Sequence, residues 1–255
     1  MKISEGPIGI IDSGLGGITV LAEVLQRLPH EKYIYYGDSL HAPYGNKQKD
    51  IVVNLTSTIC DCLYEMSCKA IVVACNTATS LVIDELRKKY SIPIVGMEPA
   101  VKPVSGKNKD IVVMATPNTL KEKKFLDLVA ELNIDDKVIK LPALGLVDIV
   151  ENQWYSREVA RLFISNYFSQ INMSNVGSIV LGCTHFVFFR RIIEEIVGRG
   201  IEIIDGNAGT ISHLIRLLEQ NDLINTKLQK SEVIFLNSDA SKIPLGKKLL
   251  LHLQN

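Results

Sequence analysis

Long apolar runs are missing from this chain, and none reaches the roughly 18 residues that a membrane-spanning helix needs. Met1 to Pro7 carries one lysine and no apolar stretch, so no signal peptide is expected. A dominant charge is missing too: 28 basic residues stand against 28 acidic ones. Neither nucleic acid nor an anionic membrane surface is therefore expected as the main partner. Cysteine is present, but five is an odd number and no Cys-x-x-Cys or spaced Cys/His set occurs. A disulfide framework and a zinc site are accordingly not expected. No cofactor motif is evident. These absences together point to a cytoplasmic protein with reduced thiols, no metal and no cofactor.

What is present is a regular alternation. Short apolar runs occur at Ile8–Ile11, Tyr33–Tyr36, Ala70–Val73, Ile92–Gly96, Ile111–Met114, Ile139–Leu141, Ser178–Leu181, Ile201–Ile204 and Val233–Leu236. Helical periodicity fills the intervals at Ile18–Leu28, Ile51–Met66, Thr79–Lys89, Thr119–Leu132, Arg157–Phe168, Phe188–Val197 and Ile211–Glu219. Such alternation predicts an α/β fold with mainly parallel sheets. Uninterrupted apolar strands such as Ile71-Val-Val73 fit sheets covered on both faces.

A weak internal repeat divides the chain. Ala70-Ile-Val-Val-Ala-Cys-Asn-Thr77 aligns without a gap to Ser178-Ile-Val-Leu-Gly-Cys-Thr-His185, 108 residues later. Upstream, Ile8-Gly-Ile-Ile-Asp-Ser13 has a counterpart in Ile111-Val-Val-Met-Ala-Thr116. Lys102 to Asp110 reads as a linker, and the segment after Asn207 is expected to pack back on the first half. The expected domains are 1–97 plus 208–255, and 98–207, pseudo-symmetric with a site in the cleft between them.

Cys75 and Cys183 each end an apolar strand and are followed by two polar residues, Asn76-Thr77 and Thr184-His185. Ligands in open α/β sheets bind beyond the carboxyl ends of the strands. A helix N-terminus there favours an anion and can lower a thiol pKa. Two thiols meeting across a cleft suit the inversion of a stereocentre: one takes a proton from one face and the other supplies a proton to the opposite face. Cys60, Cys62 and Cys68, on or just after an apolar helix, are read as buried small hydrophobes. His30, His213 and His252 are read as structural or solvated.

The sequence resembles glutamate racemases, members of the aspartate/glutamate racemase superfamily that work without pyridoxal phosphate. The resemblance is carried by Asp12-Ser-Gly-Leu-Gly-Gly17, Tyr36-Gly-Asp-Ser39 with Pro43-Tyr-Gly45, Ala74-Cys-Asn-Thr-Ala78, Glu98-Pro99 and Leu181-Gly-Cys-Thr-His185. It implies Cys75 and Cys183 as the acid/base pair, assisted by Asp12 and His185. It implies that Asp12, Ser13, Tyr44, Gly45, Asn76, Thr77, Thr184 and His185 hold the amino acid, with Glu151 near the site. It further implies glutamate as substrate, supply of D-glutamate for bacterial peptidoglycan, a homodimer, and Cys183 as the thiol that meets the L-enantiomer. His41 in place of a frequent Arg, Val187 in place of Pro, the variant segment Ala115-Thr-Pro-Asn-Thr119 and Phe125 in place of Tyr depart from the common pattern.

Other readings compete. A racemase for aspartate or another amino acid would share the thiol chemistry. Gly37-Asp-Ser-Leu40 mimics a serine-esterase signature, although the only Asp-x-x-His, Asp38 to His41, overlaps that serine. A non-enzymatic amino-acid binding module would use the cysteines for packing alone.

Overall fold

The computed structural model describes residues 3–152 and 156–254. The first half runs β1 (Ile8–Asp12), α1 (Ile18–Arg27), β2 (Lys32–Gly37), α2 (Lys49–Glu65), β3 (Ala70–Val73), α3 (Asn76–Lys89) and β4 (Ile94–Gly96). The second runs β5 (Asp110–Ala115), α4 (Pro117–Lys121), α5 (Lys123–Glu131), β6 (Val138–Pro142), α6 (Leu146–Asn152), α7 (Arg157–Phe168), β7 (Val176–Gly182), α8 (Arg190–Val197) and β8 (Glu202–Asp205). The chain closes with α9 (Asn207–Gln220), β9 (Glu232–Asn237) and α10 (Ile243–Gln254).

Every apolar run singled out in the sequence overlaps a strand, although β4 starts at Ile94 rather than Ile92 and β8 at Glu202 rather than Ile201. The strands form two sheets in the orders β4-β3-β1-β2-β9 and β6-β5-β7-β8, and all described pairings are parallel. Reading the second sheet from its other edge gives β8-β7-β5-β6, the same order as β4-β3-β1-β2. The repeat seen in the sequence is therefore a repeat of topology. The central strands align Ile11 with Val73 in one sheet and Met114 with Leu181 in the other, so both cysteines leave equivalent strand ends. The strand β9 has no counterpart in the second sheet and pairs with β2.

Three helical expectations need correction. Thr119–Leu132 is two helices rather than one, because Glu122 is extended (φ −67°, ψ 140°) between α4 and α5. The helix α3 begins at Asn76 rather than Thr79, since Cys75 acts as its cap, its Sγ accepting from Ala78 N at 3.4 Å. Cys183 leads into a 3-10 turn, Thr184–Phe189, before α8, so an α-helical N-terminus stands only at Cys75. Two helices carry too little sequence signal to be expected: α6 has seven residues, and α10 has Pro244 and Gly246 in its first turns. Proline is tolerated there because the first helical N–H groups have no partner within the helix. Gly246 lies against Ile18, where a Cβ would sit 3.2 Å from Cδ1. Among the described residues no helix is long and apolar enough to cross a membrane.

The amino ends of the strands in the first sheet are tied by a buried ion pair. Lys69, ahead of β3, places its ammonium 2.5 Å from Glu31, ahead of β2, and donates to Ser4 O at 2.7 Å. The other Glu31 oxygen accepts from Asn225 N at 2.9 Å, in the loop before β9. Burial holds Lys69 below the usual lysine pKa in spite of Glu31. The pair is a knot joining four segments distant in sequence, and neither partner can be removed without stranding the other. Glu31→Ala is expected to lower unfolding free energy by about 3–5 kcal/mol. Urea denaturation with an unchanged m-value would measure it.

Candidate active site

The carboxyl ends of β1, β2, β3, β5 and β7 deliver Asp12, Asp38, Cys75, Thr116 and Cys183 to one region. Cys75 comes from the first sheet and Cys183 from the second, and both line a single small cavity. Ser13, Tyr44, Gly45, Asn76, Thr77, Thr184 and His185 complete the sequence-derived set in its wall. Asp12 lies behind that wall, fully buried. The cavity measures about 10 Å³, room for about one water molecule. Beside it a second cavity of about 170 Å³ shares Pro43, Gly45, Thr116 and Val147 as a common rim.

The Asp12–Gly17 loop closes against the second half. The carboxylate of Asp12 accepts from Gly14 N at 3.0 Å and from the Thr184 hydroxyl at 3.1 Å. Leu15 N donates to Glu151 Oε1 at 2.6 Å, and Tyr35 donates to Gly14 O at 2.7 Å. Glycine is required here by close approach: a Cβ at Gly14 would enter the Glu151 carboxylate, and one at Gly16 would enter Thr184 and His185. The Gly-x-Gly-Gly pattern is thus a packing surface between the halves.

Charge in this region is concentrated on buried groups. His185 sets Nε2 2.8 Å from Glu151 Oε1 and Nδ1 3.8 Å from the Cys183 sulfur. Burial opposes its charge, but hydrogen bonds and charge from Cys183 and Glu151 outweigh that and hold its pKa well above the ordinary histidine value. The carboxyl of Asp12 is raised by burial, against the lowering effect of His185 and Gly14 N–H. Cys75 does not follow the expected lowering by a helix N-terminus. Burial, then Asp12, pushes its thiol up to about 12, and the N–H of Ala78 and the Ser13 hydroxyl only moderate the rise. In the empty site Cys75 is a thiol at neutral pH.

The remaining wall is polar. Tyr44 donates to Asp38 Oδ2 at 2.5 Å, and His41 faces Asp38 Oδ1 at 2.8 Å. Thr77, Thr116 and Thr119 form a ring of hydroxyls 2.9–3.2 Å apart. Asn76 donates its amide to Met97 O at 3.3 Å, which leaves its Oδ1 buried and unpartnered.

Asp38, Ser39, Thr116 and Val147 were not singled out as site residues by sequence reasoning. Thr116 had a usable signal, since it ends β5 where Ser13 follows β1. The role of Asp38 depends on Tyr44 turning back to it across a loop, which no spacing rule reveals. The esterase reading fails on geometry: Ser39 donates to Glu151 Oε2 at 3.0 Å and accepts from Asn237, while His41 is turned to Asp38. All five thiols are free, with Cys60 and Cys68 buried.

Comparison with known proteins gives the family. The glutamate racemase of Clostridium acetobutylicum is 44% identical over 255 residues, covering 98% of this chain and 99% of that protein. That of Halothermothrix orenii is 45% identical over 233 residues, covering 91% and 92%. Among solved structures, the glutamate racemase of Francisella tularensis in complex with D-glutamate superposes with a TM-score of 0.86 at 28% identity, covering 97% of this chain and 94% of that one. The sequence profile of the Asp/Glu/Hydantoin racemase family matches residues 11–214, and the chain belongs to that family.

Proposed function

We propose that this protein is a glutamate racemase that interconverts L- and D-glutamate with Cys75 and Cys183 as opposed acid and base. The observation that carries the reading is the pair of thiols at equivalent strand ends of two like sheets, lining one cavity. In one direction a thiolate takes the α-proton and the other thiol protonates the opposite face of the resulting carbanion. In the reverse direction the roles exchange, and the net proton count is unchanged. N–H groups and hydroxyls around the substrate carboxylate stabilise the developing enediolate.

Asp12 and His185 assist the two thiols, Asp12 beside Cys75 and His185 beside Cys183. Ser13, Tyr44, Gly45, Asn76, Thr77 and Thr184 hold the amino acid. The unpartnered Oδ1 of Asn76 suits a substrate ammonium. That ammonium adds a positive charge near Asp12 and Cys75 and so lowers the cost of ionising the thiol. Glutamate is larger than the closed cavity, so binding requires the rim of Pro43–Gly45 and Thr116/Val147 to part. The boundaries 1–97 plus 208–255 and 98–207 fit such a movement. The family resemblance supports a cytoplasmic homodimer that supplies D-glutamate for peptidoglycan.

Proton NMR in heavy water, without pyridoxal phosphate, should show loss of the α-proton of L-glutamate with formation of D-glutamate, faster than with aspartate. Faster exchange of aspartate would change the substrate and keep the chemistry. Replacing Cys75 or Cys183 singly by Ser should reduce racemisation by roughly 10²–10⁴-fold; normal turnover by Cys75→Ser would overturn the two-thiol mechanism.

The protonation state of Cys75 gives a separate check. Its folded-state pKa of about 12 lies above the ordinary 9.0, so the fold favours the thiol. The associated stability is complete below the ordinary value and is lost as pH rises toward 12. Ultraviolet thiolate absorbance, as the difference between wild type and Cys75→Ser, should stay absent through neutral pH and grow only in strong alkali.

A further inference from the structure

Glu151 is gripped at both ends by groups from outside its own half. Its carboxylate accepts from Leu15 N at 2.6 Å and from Ser39 Oγ at 3.0 Å, and faces His185 Nε2 at 2.8 Å. Its backbone carbonyl, at the end of α6, accepts from Lys242 Nζ at 2.8 Å. The same ammonium donates to Asn152 Oδ1 at 2.8 Å. Lys242 lies in the 3-10 turn Ala240–Lys242 that joins β9 to α10. From the strand end just before that turn, Asn237 donates to Ser39 Oγ at 3.1 Å. Two hydrogen-bonded paths therefore run from the segment Asn237–Lys242 to Glu151, one through Ser39 to the carboxylate and one direct to the carbonyl.

We propose that Lys242, with the Asn237–Ser39 path, positions the Glu151–His185 pair and thereby sets the proton-transfer competence of Cys183. The proposal rests on the reading of His185 as the assistant of Cys183. Lys242 is a positioning residue and touches neither cavity nor thiol. Its ammonium fixes where α6 ends, and a short helix of seven residues has little stiffness of its own to do so. A shift of Glu151 turns the imidazole, because Nε2 is bound to the carboxylate and Nδ1 faces the sulfur. Of the two thiols, Cys183 is the one that faces a side chain bonded to the Glu151 carboxylate, through His185, while among the described bonds that carboxylate meets the Asp12 loop only at the backbone of Leu15. Cys75 is capped onto α3 by its own sulfur and lies beside Asp12, and none of the described bonds joins it directly to Glu151 or Lys242.

This one-sidedness makes the proposal distinguishable from a general loss of packing. L- and D-glutamate have equal free energies, so kcat/KM must stay equal in the two directions in any variant. A fault at one thiol shows instead in the α-deuterium isotope effects. The effect rises for the enantiomer that the impaired thiol deprotonates and falls for the other.

The test compares wild type, Lys242→Met, Lys242→Arg and His185→Gln with protonated and α-deuterated L- and D-glutamate. Lys242→Met should lower kcat by about tenfold, as small misplacements of a catalytic group do, with KM changed less than about twofold on the same grounds. Its isotope effects should move in opposite directions for the two enantiomers and in the same sense as those of His185→Gln. Lys242→Arg should recover most of the rate. Ser39→Ala, which breaks the other path, should reproduce the signature and covers the case in which Lys242→Met does not fold. In folded Lys242→Met the downfield Nε2 proton resonance of His185 should shift or broaden. An unchanged kcat, isotope effects that move together, or an unchanged resonance overturns the proposal while leaving the racemase reading intact. Normal isotope effects in His185→Gln would instead remove the role of His185, and the proposal with it.

Discussion

An unpaired carboxylate in a protein interior is costly enough to change its protonation or disturb the fold. Of the four carboxylates that the described residues bury, Asp12, Glu31, Asp38 and Glu151, two, Asp12 and Glu151, lie around a single imidazole that is itself inaccessible. The geometry of the region follows from satisfying those three groups together. The glycines at 14 and 16 exist because the loop carrying Asp12 must lie directly on Glu151, Thr184 and His185. The hydroxyl of Thr184 and the N–H groups of Gly14 and Leu15 are aimed at the carboxylates for the same reason. Since the donors come from both halves of the repeat, the charge network also fixes how the halves meet. Stability of the interface and alignment of the chemistry are one requirement.

Much of this was legible in the sequence. The nine described strands follow from local hydrophobic runs, buried on both faces in β1, β3 and β7 and partly exposed in β6, β8 and β9, a signal that needs no tertiary knowledge. The two cysteines stood out because the motif around them repeats, and the repeat turned out to be one of strand order. The helices that escaped notice had weak periodicity for definable causes: α6 is too short to show a stripe, and α10 opens with residues that normally end helices. The pKa of Cys75 was misjudged because the helix N-terminus was weighed without burial, which depends on everything packed around the sulfur. Asp38 and Ser39 lay inside a recognised motif, yet their work depends on partners at Tyr44, Glu151 and Asn237 that only the folded chain brings near.

The closed cavity and the polar rim belong to the same design. Thr77, Thr116 and Thr119 satisfy one another, so the closed state carries no unpaired hydroxyl at that corner. Asn76 is different: its buried Oδ1 has no partner among the described residues.

The strand β9 gives the architecture its final character. Without it, the two halves would carry the same four-strand order, and a single half facing its own copy across a two-fold axis would already present a thiol from each side. The chain breaks its own symmetry twice, by adding one strand and its following turn to only one sheet and by following one thiol with an α-helix and the other with a 3-10 turn. A catalyst whose reaction has no preferred direction is in this way built from two unequal hands.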